Sequence, residues 1–183
     1  MIKEKEIKQI SFLDVVISEI SWMGTSASYN DEWIELFNNT ANPIDLDGWA
    51  ISWSHGTTSR VFVISTVTGN TIIPAEGFYL LERTDSSTTD ILEDQIYTGA
   101  LNNSGEKLEL RDNNNILIDE TDCSLDWFAG RAAPDYVSME RINSKDPGNK
   151  PENWSDNNQI IINGLDADQN PIQGTPKAKN SGS

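Results

Sequence analysis

The chain has one cysteine, Cys123, and one histidine, His55. A single thiol excludes an internal disulfide and any thiolate zinc cluster. A single imidazole excludes a polyhistidine metal site. No apolar run approaches about 20 residues, so no membrane-spanning helix is expected. Positive charge is also scarce. Thirteen Lys and Arg stand against 29 Asp and Glu, a formal charge of −16. That balance repels a polyanion at long range and lacks the basic stripe that duplex binding needs. Lys145, Lys150, Lys177 and Lys179 are scattered, so nucleic acid is not expected as a partner. The acidity fits a soluble surface, a cationic partner or a divalent cation, and it favours a monomer. Residues 1–16 have neither a useful apolar h-region nor a small-residue cleavage site. Taken literally, the chain is not exported by itself. A mature domain or a piece of a longer protein would read the same way, so a cytoplasmic setting stays open.

What is present is a period of two. The 183 residues suit one domain. Residues 1–13 read as a flexible lead-in, and residues 14–181 as the domain. From Asp14 onward apolar residues alternate, as they do in a strand with one buried face. Val16 and Ile20 are placed on one face. Ile34 and Leu36 share another, as do Trp49, Ile51 and Trp53. Leu108 and Leu110 alternate with charged residues, and Val137 alternates with Met139. Arg60–Ile64 and Phe78–Arg83 are more apolar and are expected to be covered on both faces. Asn-Pro at 42–43, Asp-Gly at 47–48 and Glu-Gly at 76–77 mark turns. Asn113, Asn114 and Asn115 predict a hairpin. About eight short strands with frequent turn signals indicate an all-β sandwich. From about residue 142 the pattern gives way to Asn, Asp, Gly and Pro, which predicts a long irregular C-terminal tail pinned by Trp154, Ile160–Ile162 and Ile172.

The residues themselves add a resemblance. Val16–Ile20 with Trp22 and Gly24 comes first. Asp31–Asn38, Ile44–Ile51, Ile73–Arg83, Tyr97–Leu101 and Asn103–Asp112 follow. Ser138–Arg141 and Gly174-Thr175-Pro176 with Asn180 and Ser181 close the set. In this order they resemble the bacterial lamin-tail domain family over about residues 14–181. The resemblance implies an immunoglobulin-like β-sandwich, so the expected fold is that sandwich with its irregular tail. It implies no general catalytic site, and an exported or surface protein as the setting. Lys177 departs from the closing motif, which often has Gly there.

Candidate chemistry is sparse. Asp166, Asp168 and Asn170 place oxygen side chains at alternate positions, as in the first half of a calcium loop. Pro171 and Lys177 stand where such a loop needs Gly and a bidentate Glu. An Asx-rich turn is therefore the preferred reading and calcium the alternative; no other cofactor is expected. Glu19, Glu32, Glu35, Glu82, Glu106 and Glu140 could supply the carboxyl pair of a glycosidase. Ion pairs with Arg83 and Arg141 are preferred for them. Ser54 and His55 are neighbours in a strand and point to opposite faces. Cys123 is read as a half-buried loop residue. Six Trp are present. Trp49 and Trp53 are expected in the core, while Trp33 and Trp127 form the best exposed pair for stacking on a ligand.

Together these observations predict a non-catalytic interaction module of a bacterial surface or secreted protein. Its partner would be another protein or a cell-envelope polymer. A carbohydrate-binding module, or an accessory domain of a secreted hydrolase or nuclease, is the alternative.

Overall fold

The computed structural model describes residues 10–183. Residues 1–9 of the expected lead-in fall outside the described residues. Within the rest of it, Ile10 packs against the core and the Leu13 amide donates to Ile118 O at 2.8 Å.

The fold is an immunoglobulin-like β-sandwich with no α-helix among the described residues. One sheet contains β1 (Val15–Ser21), β2 (Trp33–Asn38), β7 (Phe78–Arg83), β8 (Gln95–Tyr97), β11 (Met139–Arg141) and β12 (Trp154–Asp156). Its spatial order is β12-β11-β1-β2-β7-β8. The second contains β4 (Ala50–His55), β5 (Thr58–Val63), β9 (Lys107–Arg111) and β10 (Leu117–Asp122), ordered β10-β9-β4-β5. A small ribbon joins β3 (Ile44–Asp45) to β6 (Ile72–Ile73). All these pairings are antiparallel except β7 with β8. Among the described residues, twelve strands replace the expected eight because five of them are only two or three residues long. Alternation cannot be read over so few positions.

The inner faces meet through Ile34, Leu36, Tyr79 and Leu81 on one side and Ile51, Trp53, Leu108 and Leu110 on the other. Full burial of each such aliphatic side chain contributes about 1.5–3 kcal/mol. The Asn113–Asn115 hairpin forms as the composition suggests. Asn115 takes φ 64°, and the Asp112 carboxylate accepts the Asn114 and Ile116 amides.

Two expectations fail for physical reasons. Val16 and Ile20 do not share a face, because β1 carries a bulge between Ile17 and Glu19. The extra residue shifts the core-facing set from Val15 and Ile17 to Ile20 and Trp22. It also turns Glu19 outward. Arg60–Ile64 is not covered on both faces. β5 is an edge strand, with Val61 61% and Val63 51% exposed.

The bulge leaves backbone groups that must be bonded elsewhere. Asp119 Oδ2 accepts the Ile17 amide at 2.9 Å. Arg141 Nη1 donates to Ile17 O at 3.0 Å and to Asp119 Oδ2 at 2.6 Å. Arg141 Nη2 reaches Asp146 O, and the guanidinium lies over the Trp154 ring. Asp119 and Arg141 are fully buried and link the two sheets at the bulged strand. Removing one partner of such a pair costs about 3–5 kcal/mol. Arg141→Met should therefore destabilise the domain by about that amount in urea denaturation; a loss below about 1 kcal/mol would show that the pair does not tie the sheets.

Candidate functional site

The two tryptophans expected to be exposed are buried, Trp33 to 1% and Trp127 to 7% exposure. Trp33 does lie opposite Ile34 and Leu36, but the tail covers that face. Its ring packs with Leu80 and Ile172. A Cβ added at Gly174 would sit 2.7 Å from Trp33 Cζ2, so glycine there allows the close approach. Trp127 stacks on Trp22 with ring centroids 5.7 Å apart and planes 4° apart. Its Nε1 donates to Asn102 O at 2.9 Å. Neither ring offers a stacking platform.

Asp166 is buried, whereas Asp168 and Asn170 are exposed. Asp166 Oδ1 accepts the Asp168 amide at 3.0 Å and the Asn170 amide at 2.8 Å. Its Oδ2 accepts Ser26 Oγ. Burial raises the carboxyl's pKa, but the bonds from Ser26, Asn170 and Asp168 together outweigh it and hold the group below the usual range. This is the geometry of an Asx turn pinned to the Ser26 loop. Trp33, Asp166 and Asn170 do share one cleft of about 260 Å³, with Thr25 and Tyr136 beside them. Trp127 and Asp168 are not part of it.

The glutamates are held differently from expectation. Glu32 does pair with Arg83 at 3.0 Å. Arg141 instead binds Asp119, and no arginine reaches Glu19, Glu35, Glu82 or Glu140. Glu140, Glu19 and Glu35 stand side by side across β11, β1 and β2 on the outer face, each fully buried. The tail covers them with donors. Thr175 N donates to Glu19 Oε1 at 2.9 Å, and Lys177 N donates to Glu35 Oε2. Ser181 gives both its amide and its hydroxyl to Glu140 Oε2, at 2.8 and 2.6 Å. Asn180 Nδ2 binds Ser18 O and Arg141 O, which closes the remaining gap at the bulge. Lys177 takes φ 54°, which accounts for the Gly often found at that position of the motif.

Thr175 Oγ1 lies 3.1 Å from Glu19 Oε2, 2.8 Å from Glu140 Oε1 and 3.4 Å from Asn180 Oδ1. One hydroxyl hydrogen cannot serve three acceptors. A proton on Glu19 donated to Thr175 Oγ1 removes one of the three and lets the hydroxyl donate to Glu140 Oε1, the nearest acceptor. Burial first, and the Glu140 charge second, raise Glu19 to about 7. Burial likewise pushes Glu35 well above the usual range and Glu82 to about 8.

Glu19, Glu35 and Glu140 are sealed under the tail and Glu82 is bonded by Thr89, and none of the four flanks a cleft. Cys123 is fully buried, and burial raises its thiol to about 12. The Gly105 carbonyl must accept from His55 Nδ1, 2.8 Å away, so that nitrogen carries the hydrogen. No nucleophile–base pair results.

The model of the lamin tail domain matches residues 9–124. The chain belongs to the lamin tail domain family. Lamin tail domains are non-enzymatic and immunoglobulin-like. The match ends just after β10, so β11, β12 and the covering tail of this lamin tail domain lie beyond it. No curated protein matches the chain. Thr175 and Ser181, quoted above only as part of a closing motif, prove to be donors for the buried glutamates, while Asn180 donates to the Ser18 and Arg141 carbonyls.

Two outcomes follow from these bonds. Glu19, Glu35 and Glu82 have folded pKa values above the unfolded value near 4.5. The folded state therefore holds the extra protons. The stabilising contribution of Glu19 and Glu82 is complete below about pH 4.5 and is lost as pH rises through about 7 and about 8 respectively, and that of Glu35 is lost in the same direction. Melting temperature should fall from about pH 5 to about pH 8, and Glu82→Gln should flatten the fall; a flat wild-type profile would refute the protonated carboxyls. Calcium at about 10 mM should not raise the melting temperature above the EDTA value. A site binding at about 0.1 mM would instead add about 2.7 kcal/mol.

Proposed function

We propose that this lamin tail domain is a non-catalytic interaction module, and that it binds an extended segment of another protein by strand addition at β5. The observation that carries this reading is the free edge. β12 and β8 are each three residues long. β10 is linked to the lead-in at Leu13 and to β1 through Asp119. β5 has six residues and pairs with β4 in unbroken register. Ile64 exchanges backbone bonds with the β4 side, to Trp49 O and from Gly48 N. By alternation, Ser59, Val61 and Val63 direct their backbone groups outward. The edge has neither lysine nor proline, the residues that usually block such pairing.

The neighbouring surface supports it. Val61 aligns with Ser52, and Val63 with Ala50, which makes a low strip beside the edge. Further across the sheet, Lys107, Glu109, Arg111 and Glu120 form an ion-pair cluster. The family resemblance favours a bacterial surface or secreted protein as the setting. A cell-envelope polymer is the lesser alternative as partner. Carbohydrate stacking loses its support because Trp33 and Trp127 are covered.

Pro at an outward-facing edge position is tolerated by the fold but interrupts the next strand. Wild-type protein should select binders from a displayed library of ten-residue segments (the length is about twice that of a strand). Val61→Pro should lose those binders while its melting temperature stays within a few degrees of wild type. Binders indifferent to Val61→Pro would overturn strand addition.

A further inference from the structure

At the Thr58 end of β5 lies a cleft of about 290 Å³ lined by His55, Thr58, Arg60, Asn102 and Glu106. Its arginine is unusual for this chain. Arg83, Arg111, Arg131 and Arg141 are all ion-paired. Arg60 has no ion pair and no side-chain hydrogen bond among the described residues, in a sequence where acids outnumber bases by 29 to 13. Arg60 is exposed, and its stem passes close to Gly99. A Cβ at Gly99 would fall 2.6 Å from Arg60 Cδ and 3.2 Å from Trp53 Cζ2, so the arginine stem crosses the glycine beside the buried indole.

The rest of the lining is short of partners too. Glu106 is 2% exposed, and its Oε2 is buried with no hydrogen-bond partner. His55 uses Nδ1 on Gly105 O, which leaves Nε2 uncommitted. Burial raises the Glu106 pKa, while a backbone bond from Asn102 and the charges of Arg60 and His55 oppose the rise. A guanidinium with five donors suits an acceptor with two oxygens and one negative charge. A dianion would meet both the Glu106 side chain and the repulsion of the whole chain.

We propose that this cleft is a carboxylate-binding site in which Arg60 takes a C-terminal carboxylate or an acidic side chain of the segment that adds to β5. The identity of the ligand as a peptide rests on the strand-addition reading; the site itself rests on Arg60, Glu106 and His55. The test is an NMR titration of the whole chain that follows the Arg60 Nε–Hε signal. The probes are N-acetylglycine for a chain end, N-acetylaspartate N-methylamide for an acidic side chain, and N-acetylglycinamide as the neutral control. At least one carboxylate should shift the signal saturably, with the Arg111 and Arg131 signals unmoved. The tighter probe identifies the source of the carboxylate. In Arg60→Gln, the binding monitored at the Asn102 and Glu106 amides should weaken by about tenfold or more. The absence of saturation, an equal response to the neutral control, or unchanged binding in Arg60→Gln would each overturn the proposal. Val61→Pro should leave these small probes unaffected. Saturation here beside peptide binders that ignore Val61→Pro would sink strand addition and leave the carboxylate site standing.

Discussion

Three carboxyls buried side by side require hydrogen-bond donors, and the backbone of the C-terminal tail supplies them. A buried charged or polar group without partners costs several kcal/mol. Glu19, Glu35 and Glu140 meet that requirement through Thr175, Lys177 and Ser181. Polarity, not greasy contact, thus fixes where the tail lies. Once the tail is there, Ile172 covers Trp33 and Leu80, and the outer face of the large sheet becomes a second small core. The irregular segment is as much a part of the sandwich as the strands.

The β1 bulge makes this arrangement possible. It turns Glu19 onto the outer face while keeping Ile17 and Ile20 in the core. The backbone groups it frees are taken by Asp119, Arg141 and Asn180. Those residues come from β10, β11 and the tail. One extra residue in one strand therefore joins both sheets and the terminal segment. The same packing closes these acids to a substrate. They are consumed in holding the fold, and no substrate can reach them.

Much of this was legible in the sequence. Alternation marked β2, β4 and β9, and the ordered motifs supplied the family and the immunoglobulin-like sandwich. Alternation also failed at identifiable points. It cannot report a bulge, so Val16 and Ile20 were assigned to one face. It cannot report what covers a face, so Trp33 read as exposed when only its side of β2 was known. Apolar content does not separate a central strand from an edge, and β5 was therefore taken as covered. The Asp166 loop was legible because Asx turns are local, with bonds two to four residues long. The glutamate row was not, since its partners lie up to 156 residues away.

The two ends of this design have different consequences. One face is closed by its own tail, and the opposite sheet leaves β5 open beside Arg60, which has no ion pair among the described residues. The central physical claim is the first of these, that buried carboxyls lock the tail. Native-state hydrogen exchange near pH 6 tests it directly. The amides of Thr175, Lys177 and Ser181 should exchange within about tenfold of the slow amides of β1, because they open only with the sheet. Exchange of those three amides at open-chain rates, with β1 still protected, would contradict the account.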